Sequence, residues 1–242
     1  MDAIVYVGHG SRAEARNKEF IQFMDMVYPQ IPVDVQTYAF LELAEPSITD
    51  AVTDCIRKGA TRVTVVPILL LSGIHVVEDI PNEIAEICSQ YPNIDIDQVG
   101  PLGADEVVVN VLKARLDEAI GELPNKKAVL LISHGSRNKD APHEFEQLAS
   151  QLKEMLPFDA DVSTAYLKTT QPSIEQQLEK MAMNQYDEIY VIPHFLFAGG
   201  FVKTIENVLD NYHDRMPKTK LICCEPTGFD QSYTELIEKR LE

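Results

Sequence analysis

The chain has 242 residues, enough to bury a sizeable core and to form one or two domains. Its 45% hydrophobic and 24% charged residues exclude broad disorder. A formal net charge of −17 argues against nucleic acid or an anionic membrane as a general partner, and no apolar run approaches the length of a membrane span.

The N-terminus MDAIVYVGHGSR has no basic region and no cleavage site, so a cytoplasmic protein is expected. AIVYV (3–7) is a short β-branched run suited to a strand buried on both faces. It ends in HGSR. Beyond that turn a helix beginning near Ala13 is predicted, with Phe20, Phe23, Met24 and Val27 on one stripe. VDVQTYAF (33–40) reads as the second strand. Pro46 suits the first position of the next helix, whose buried stripe is Ile48, Ala51, Val52, Cys55 and Ile56, stopping before Gly59. RVTVVPILLL (62–71) is the third strand, followed by a loop carrying His75 and a helix from about Pro81 to Gln90. IDIDQV (94–99) is the fourth strand, and a helix from Ala104 to Ile120 closes this half.

The pattern then repeats. HGSR returns at 134–137, FLELAEPSI (40–48) lies over YLKTTQPSI (166–174), and VTVVPILLLSG (63–73) over IYVIPHFLFAG (189–199). The stripe of the first helix returns as Phe145, Leu148, Ala149 and Leu152. The register runs through most of each half, so the chain is a whole-domain duplication. Strands separated by helices of this length imply parallel pairing with right-handed crossovers. The expected fold is α/β: two tandem duplicated domains, each a small parallel four-stranded sheet flanked by helices. The polar segment GELPNK (121–126) marks the boundary, giving domains 1–123 and 124–242. The four cysteines, Cys55, Cys88, Cys223 and Cys224, show no CxxC spacing and fall inside apolar patterns, as thiols of a reducing compartment do.

In an open parallel sheet, ligands bind beyond the carboxyl ends of the strands. His9 ends the first strand, Glu42 lies just past the second, and His75 follows the third. Two imidazoles and a carboxylate suit a divalent first-row ion such as iron, cobalt or nickel, with positions left open. The convergence requires a strand order that keeps the three ends adjacent. Gly8 and Gly10 allow a sharp turn and close approach to a ligand. Ser11, with the helix start behind it, offers a hydroxyl and free N–H groups to an anion. Arg12, Arg16 and Lys18, and in the second copy Arg137 and Lys139, supply local positive charge in an acidic chain. Neither GxGxxG nor GxxxxGK[ST] occurs, so no nucleotide requirement is visible. The run ILLLSGI (68–74) either covers a flat apolar ligand or belongs to the core.

YVGHGSR, FLELAEPSI and VVPILLLSGIHVVEDIP, in this order and spacing, resemble the sirohydrochlorin chelatases of the SirB and CbiX type, class II chelatases, over nearly the whole chain. The resemblance implies insertion of a divalent metal into a tetrapyrrole without ATP, with His9, Glu42 and His75 as metal-site residues. It implies a sirohydrochlorin-type macrocycle bearing eight carboxylates as the partner, which Ser11, Arg12 and Arg137 would help to hold. No cofactor is expected beyond the metal substrate: Fe2+ in sirohaem synthesis, with Co2+ for cobalamin synthesis and Ni2+ as alternatives. A metal or tetrapyrrole carrier and a phosphoryl-transfer enzyme with His9 as nucleophile are the competing readings.

The second half departs from the pattern. His134 persists, but Lys168 stands in place of Glu42 and Phe201 in place of His75. His194 matches Ile68, so it does not restore the trio, and His143 and His213 fall on predicted helix surfaces. One metal site is expected, in the N-terminal half, with His134, Lys168 or Arg137 available to substrate carboxylates. Because one chain supplies both halves, a monomer is expected.

Overall fold

The computed structural model of the chain describes residues 1–121, 126–157 and 159–242. The domain boundary predicted within 121–126 therefore lies outside the described residues. The first repeat contains β1 (Asp2–Gly8), α1 (Glu14–Val27), β2 (Val35–Phe40), α2 (Ile48–Arg57) and β3 (Arg62–Pro67). A π-helical turn (His75–Asp79) then leads into α3 (Ile80–Gln90), β4 (Asp95–Gln98) and α4 (Glu106–Ala119). The second contains β5 (Lys127–Ser133), α5 (Asp140–Met155), β6 (Asp161–Tyr166), α6 (Ile174–Ala182), β7 (Glu188–Pro193), α7 (Gly200–Tyr212), β8 (Lys220–Cys223) and α8 (Tyr233–Leu241). Among the described residues there are two four-stranded sheets, ordered β2-β1-β3-β4 and β6-β5-β7-β8, with every pairing parallel. This is the α/β duplication expected.

The chain forms two compact units whose composition differs from the sequence halves. Unit 1 is Met1–Gly103 with Phe229–Glu242; unit 2 is Ala104–Gly228. The helix that closes the first repeat, α4, thus belongs to unit 2, where it packs on α5 and β7, and α8 belongs to unit 1. The residue pattern of α4 shows that it has an apolar face but does not say which sheet covers it.

In unit 1 the alternation of β1 divides the core into two layers. Ala3, Val5 and Val7 face α2 and α3, meeting Ile48, Val52, Cys55, Ile80, Ile84 and Ile87. On the other side Phe20 and Phe23 of α1 meet Phe229, and Phe23 also meets Tyr233 of α8. Each fully buried Val, Ile or Phe contributes about 1.5–3 kcal/mol, so two covered faces explain the apolar run of β1, whose one side-chain polar group between Ala3 and Val7, the Tyr6 hydroxyl, donates to Gln36 Oε1 (2.7 Å). Unit 2 repeats the first layer with Ala128, Leu130 and Ile132 against α6 and α7.

The structure corrects several predicted boundaries. Pro46 lies ahead of α2 rather than at its first position, because Ser47 caps the helix: its Oγ accepts the Asp50 N–H at 3.1 Å. β3 stops at Pro67, not Leu71. Beyond it the Leu69 and Leu70 carbonyls accept the N–H groups of Leu102 and Gly103, so that stretch leaves the ladder for a neighbouring loop. Of the apolar run after β3, Ile68 is buried and Leu69–Leu71 are half-buried. His75 sits not in a loop but on the π-helical turn that opens α3.

Candidate metal centre

The strand order places β1 between β2 and β3, so the turns leaving three neighbouring strands converge at one edge. This is the switch point of a doubly wound sheet, where the chain departs in opposite directions and leaves a crevice. His9 follows β1 directly. The Glu42 N–H donates to the His9 carbonyl (3.1 Å) and the Leu41 N–H to the Gly8 carbonyl (2.9 Å), extending the β1–β2 pairing past the strand ends. The backbones bearing His9 and Glu42 are thereby tied to each other.

Gly10 makes this approach possible. Its φ is +84°, and a Cβ there would stand 1.9 Å from the Glu42 carbonyl oxygen. Gly8 has a different reason: a Cβ there would stand 2.9 Å from Cζ of the Phe20 ring of α1. Both glycines serve close packing within the protein.

His9, Glu42 and His75 each present a ligand atom, and these atoms all lie within 4.8 Å of one another. His9 Nε2 faces Glu42 Oε1 at 3.8 Å, too long for a hydrogen bond, and the His9 and His75 rings meet edge-on at 4.9 Å. Donors about 2.0–2.2 Å from one ion stand at most about 4.4 Å apart. A small rotation of side chains that are 41%, 49% and 39% exposed would bring the three donors within that span. The Nδ1 atoms point elsewhere, each toward an acceptor: that of His9 lies 3.1 Å from the Gly10 carbonyl oxygen, and that of His75 2.7 Å from Asp79 Oδ2. Each imidazole therefore offers Nε2 to the cluster. The half-exposed setting leaves one side open to a large ligand. Leu43 and Val77, on the same two turns, are among the exposed large apolar residues and add hydrophobic surface there.

The other predicted residues divide. Ser11 is half-buried and its Oγ accepts the Ala13 N–H (3.1 Å), so it braces the turn while its own O–H remains to donate. Arg12 is exposed beside it. Arg137 is exposed on the matching turn of unit 2.

Unit 2 preserves the scaffold of the centre with different chemistry. Gly135 has φ +89° with Lys168 oxygen 2.0 Å from its notional Cβ, and the Lys168 N–H donates to the His134 carbonyl (3.0 Å). The His134 and Phe201 rings stand 5.0 Å apart, and Lys168 Nζ lies 5.9 Å from the Phe201 centroid. A ring and an ammonium thus occupy the places of the second imidazole and the carboxylate. His194 is buried at the end of β7, stacked on Phe145 and bonded through Nδ1 to Thr227 Oγ1 (2.9 Å). Burial pushes its pKa down to about 3. It is a neutral core residue. His143 and His213 are exposed, as expected.

Sequence reasoning missed Asp79. Its signal was the spacing His75-x-x-x-Asp79, which is invisible as a pair while His75 is assigned to a loop.

The chain is similar to known proteins over nearly its whole length. The CbiX family model matches residues 3–119 and 128–242. The chain is 33% identical to the sirohydrochlorin ferrochelatase of Priestia megaterium over 210 residues, covering 87% of this chain and 79% of that one. It is 28% identical to the sirohydrochlorin cobaltochelatase of the same organism, covering 100% and 79% respectively. Among solved structures, SirB from Bacillus subtilis with Fe3+ is similar with a TM-score of 0.88 and 30% identity, covering 99% of this chain and 94% of that one.

Proposed function

The chain belongs to the CbiX family, and on that premise we propose that it is a sirohydrochlorin ferrochelatase, inserting Fe2+ into sirohydrochlorin to form sirohaem without ATP. The observation that carries this reading is the trio His9, Glu42 and His75, gathered at the open edge of a parallel sheet. His9 and His75 hold the ion through Nε2, and Glu42 offsets one of its two positive charges. The macrocycle approaches from the solvent side, where Leu43 and Val77 offer apolar contact and Ser11 and Arg12 meet peripheral carboxylates. Two pyrrole N–H protons leave as the nitrogens take the ion, so the reaction releases two protons and needs no oxidant or reductant. Glu42 and the imidazoles, once free of the ion, are the groups placed to receive those protons.

Iron is favoured over cobalt by the higher identity of the ferrochelatase relative; the cobaltochelatase relative covers more of the chain, and two imidazoles with a carboxylate do not discriminate these ions. No resident cofactor is proposed beyond the metal substrate. We read the protein as a cytoplasmic monomer; among the described residues no helix is long and apolar enough to cross a membrane.

The test is anaerobic metalation of sirohydrochlorin with Fe2+, Co2+ and Ni2+ side by side, followed by absorbance against the spontaneous rate. Acceleration with Fe2+ above the others is expected. Binding of macrocycle and metal without acceleration would make the protein a carrier instead.

A further inference from the structure

Asp79 lies outside the metal trio, yet it makes the shortest polar contact to any member of it. Its Oδ2 stands 2.7 Å from His75 Nδ1. The pair sits four residues apart on the π-helical turn His75–Asp79, a geometry that is rare and frequently marks functional sites. Gln98, at the end of β4, braces the same turn by donating from Nε2 to the Val76 carbonyl at 2.9 Å.

The internal repeat supplies an independent observation. Features that serve the fold recur in both copies: Gly10 and Gly135 with positive φ, Ser47 and Ser173 as helix caps, and the strand orders. In the copy where His75 is replaced by Phe201, the register shifts by one residue across this turn: buried Ile80, Ile84 and Ile87 are matched by Ile205, Leu209 and Tyr212, so Thr204 stands in the place of Asp79 and Cys223 in that of Gln98. There α7 runs as ordinary α-helix from Gly200 to Tyr212. Imidazole, carboxylate, brace and π-turn are present together in one copy and replaced together in the other. A carboxylate whose only task was to favour the start of a helix would have no reason to depart with the histidine.

We infer that Asp79 is a positioning residue for metal delivery: it holds His75 as the Nδ1–H tautomer and fixes its ring, so that the Nε2 lone pair faces His9 and Glu42. The inference rests on the chelatase reading of the site. A metal-ligating imidazole whose other nitrogen donates to a carboxylate is oriented and made more basic, and losing such a partner costs about 10–100-fold in metal affinity. Because His75 and Asp79 are each more than a third exposed, their contact adds little to global stability.

Two readouts test the inference. In the metal-free protein, two-bond 1H–15N correlations of the histidine rings report which nitrogen of His75 carries the proton. Nδ1–H is expected in the wild type and in Asp79→Asn, whose side-chain carbonyl still accepts, with a shift toward Nε2–H in Asp79→Ala. Nε2–H in the wild type, or an unchanged pattern in Asp79→Ala, overturns the inference. In the second, Co2+ binding is followed by visible absorbance. Asp79→Ala should bind about 10–100-fold more weakly while Asp79→Asn stays within a few-fold of the wild type. Equal losses in both variants would make Asp79 a ligand rather than a positioning residue, and wild-type affinity in both would remove its role. Should His75→Ala bind Co2+ as well as the wild type, the metal site itself is misassigned, and the tautomer measurement still judges the Asp79–His75 pair separately.

Discussion

At the scale of single residues, the site depends as much on an absent side chain as on the three that are present. A methyl group at Gly10 would overlap the Glu42 carbonyl oxygen and would have to be held at φ +84°. The left-handed backbone and the overlap together should cost Gly10→Ala at least about 2 kcal/mol. Urea unfolding measures this, and wild-type stability would show that the turn relaxes freely. Gly200 is the contrast: nothing lies within 4 Å of its notional Cβ, at the start of α7. Gly200→Ala should be neutral or stabilising by up to about 1 kcal/mol. His9, Glu42 and His75 were legible from sequence because each follows a recognisable strand, and parallel strands end at one edge. Asp79 was not, since its relation to His75 exists only on a π-helical turn, and apolar periodicity carries no sign of such a turn. The reason for Gly8 was hidden too, because a glycine's sequence neighbours do not show that a ring from α1 packs over it.

Among the elements, the two copies form an internal experiment. The turns after β1 and β2 have the same backbone as those after β5 and β6, down to matching positive φ values at Leu43 (63°) and Thr169 (55°). What separates the proposed metal-binding edge from its counterpart is therefore side-chain chemistry together with the start of the following helix. Restoring the side chains alone, in the double variant Lys168→Glu/Phe201→His, should raise metal stoichiometry from one ion per chain toward two. The new site should be the weaker, because neither Thr204 nor Ile205 offers a carboxylate to orient the introduced imidazole. Equilibrium dialysis with Co2+ would show this; a stoichiometry fixed at one would mean that the backbone of the second edge has drifted too far. The strands and the helix stripes of α1 and α5 were readable because burial leaves a period in the sequence. The ends of β3 and α2 were misplaced where a loop or a serine cap competed for the same backbone groups.

Across the whole chain, the sequence repeat and the packing units do not coincide, because α4 and α8 each pack outside the half that encodes them. The apolar stripe of a helix records that it is buried and not where, so only the structure could show this. The fold also carries a pH dependence of its own. Burial pushes the His194 imidazole from 6.5 down to about 3. In the unfolded chain it takes a proton below pH 6.5 while the folded protein does not, so acid favours unfolding. Stability should fall by up to about 1.4 kcal/mol per pH unit from this residue as pH drops below 6.5. Glu188, held below its usual range first by its bond to Lys127, adds a second loss at lower pH, as its carboxylate is protonated. His194→Gln should flatten the decline between pH 6.5 and 5 in denaturant titrations, and an unchanged slope would assign it to other groups. In the proposed function, one edge of the two delivers metal. This is tested most directly by anaerobic sirohydrochlorin metalation with Fe2+, comparing His9→Ala and His134→Ala with the wild type after circular dichroism has shown both variants folded. The expected result is a His9→Ala rate at the spontaneous level and a His134→Ala rate that still clearly exceeds it. A wild-type rate in His9→Ala, or loss of insertion only in His134→Ala, would contradict the account.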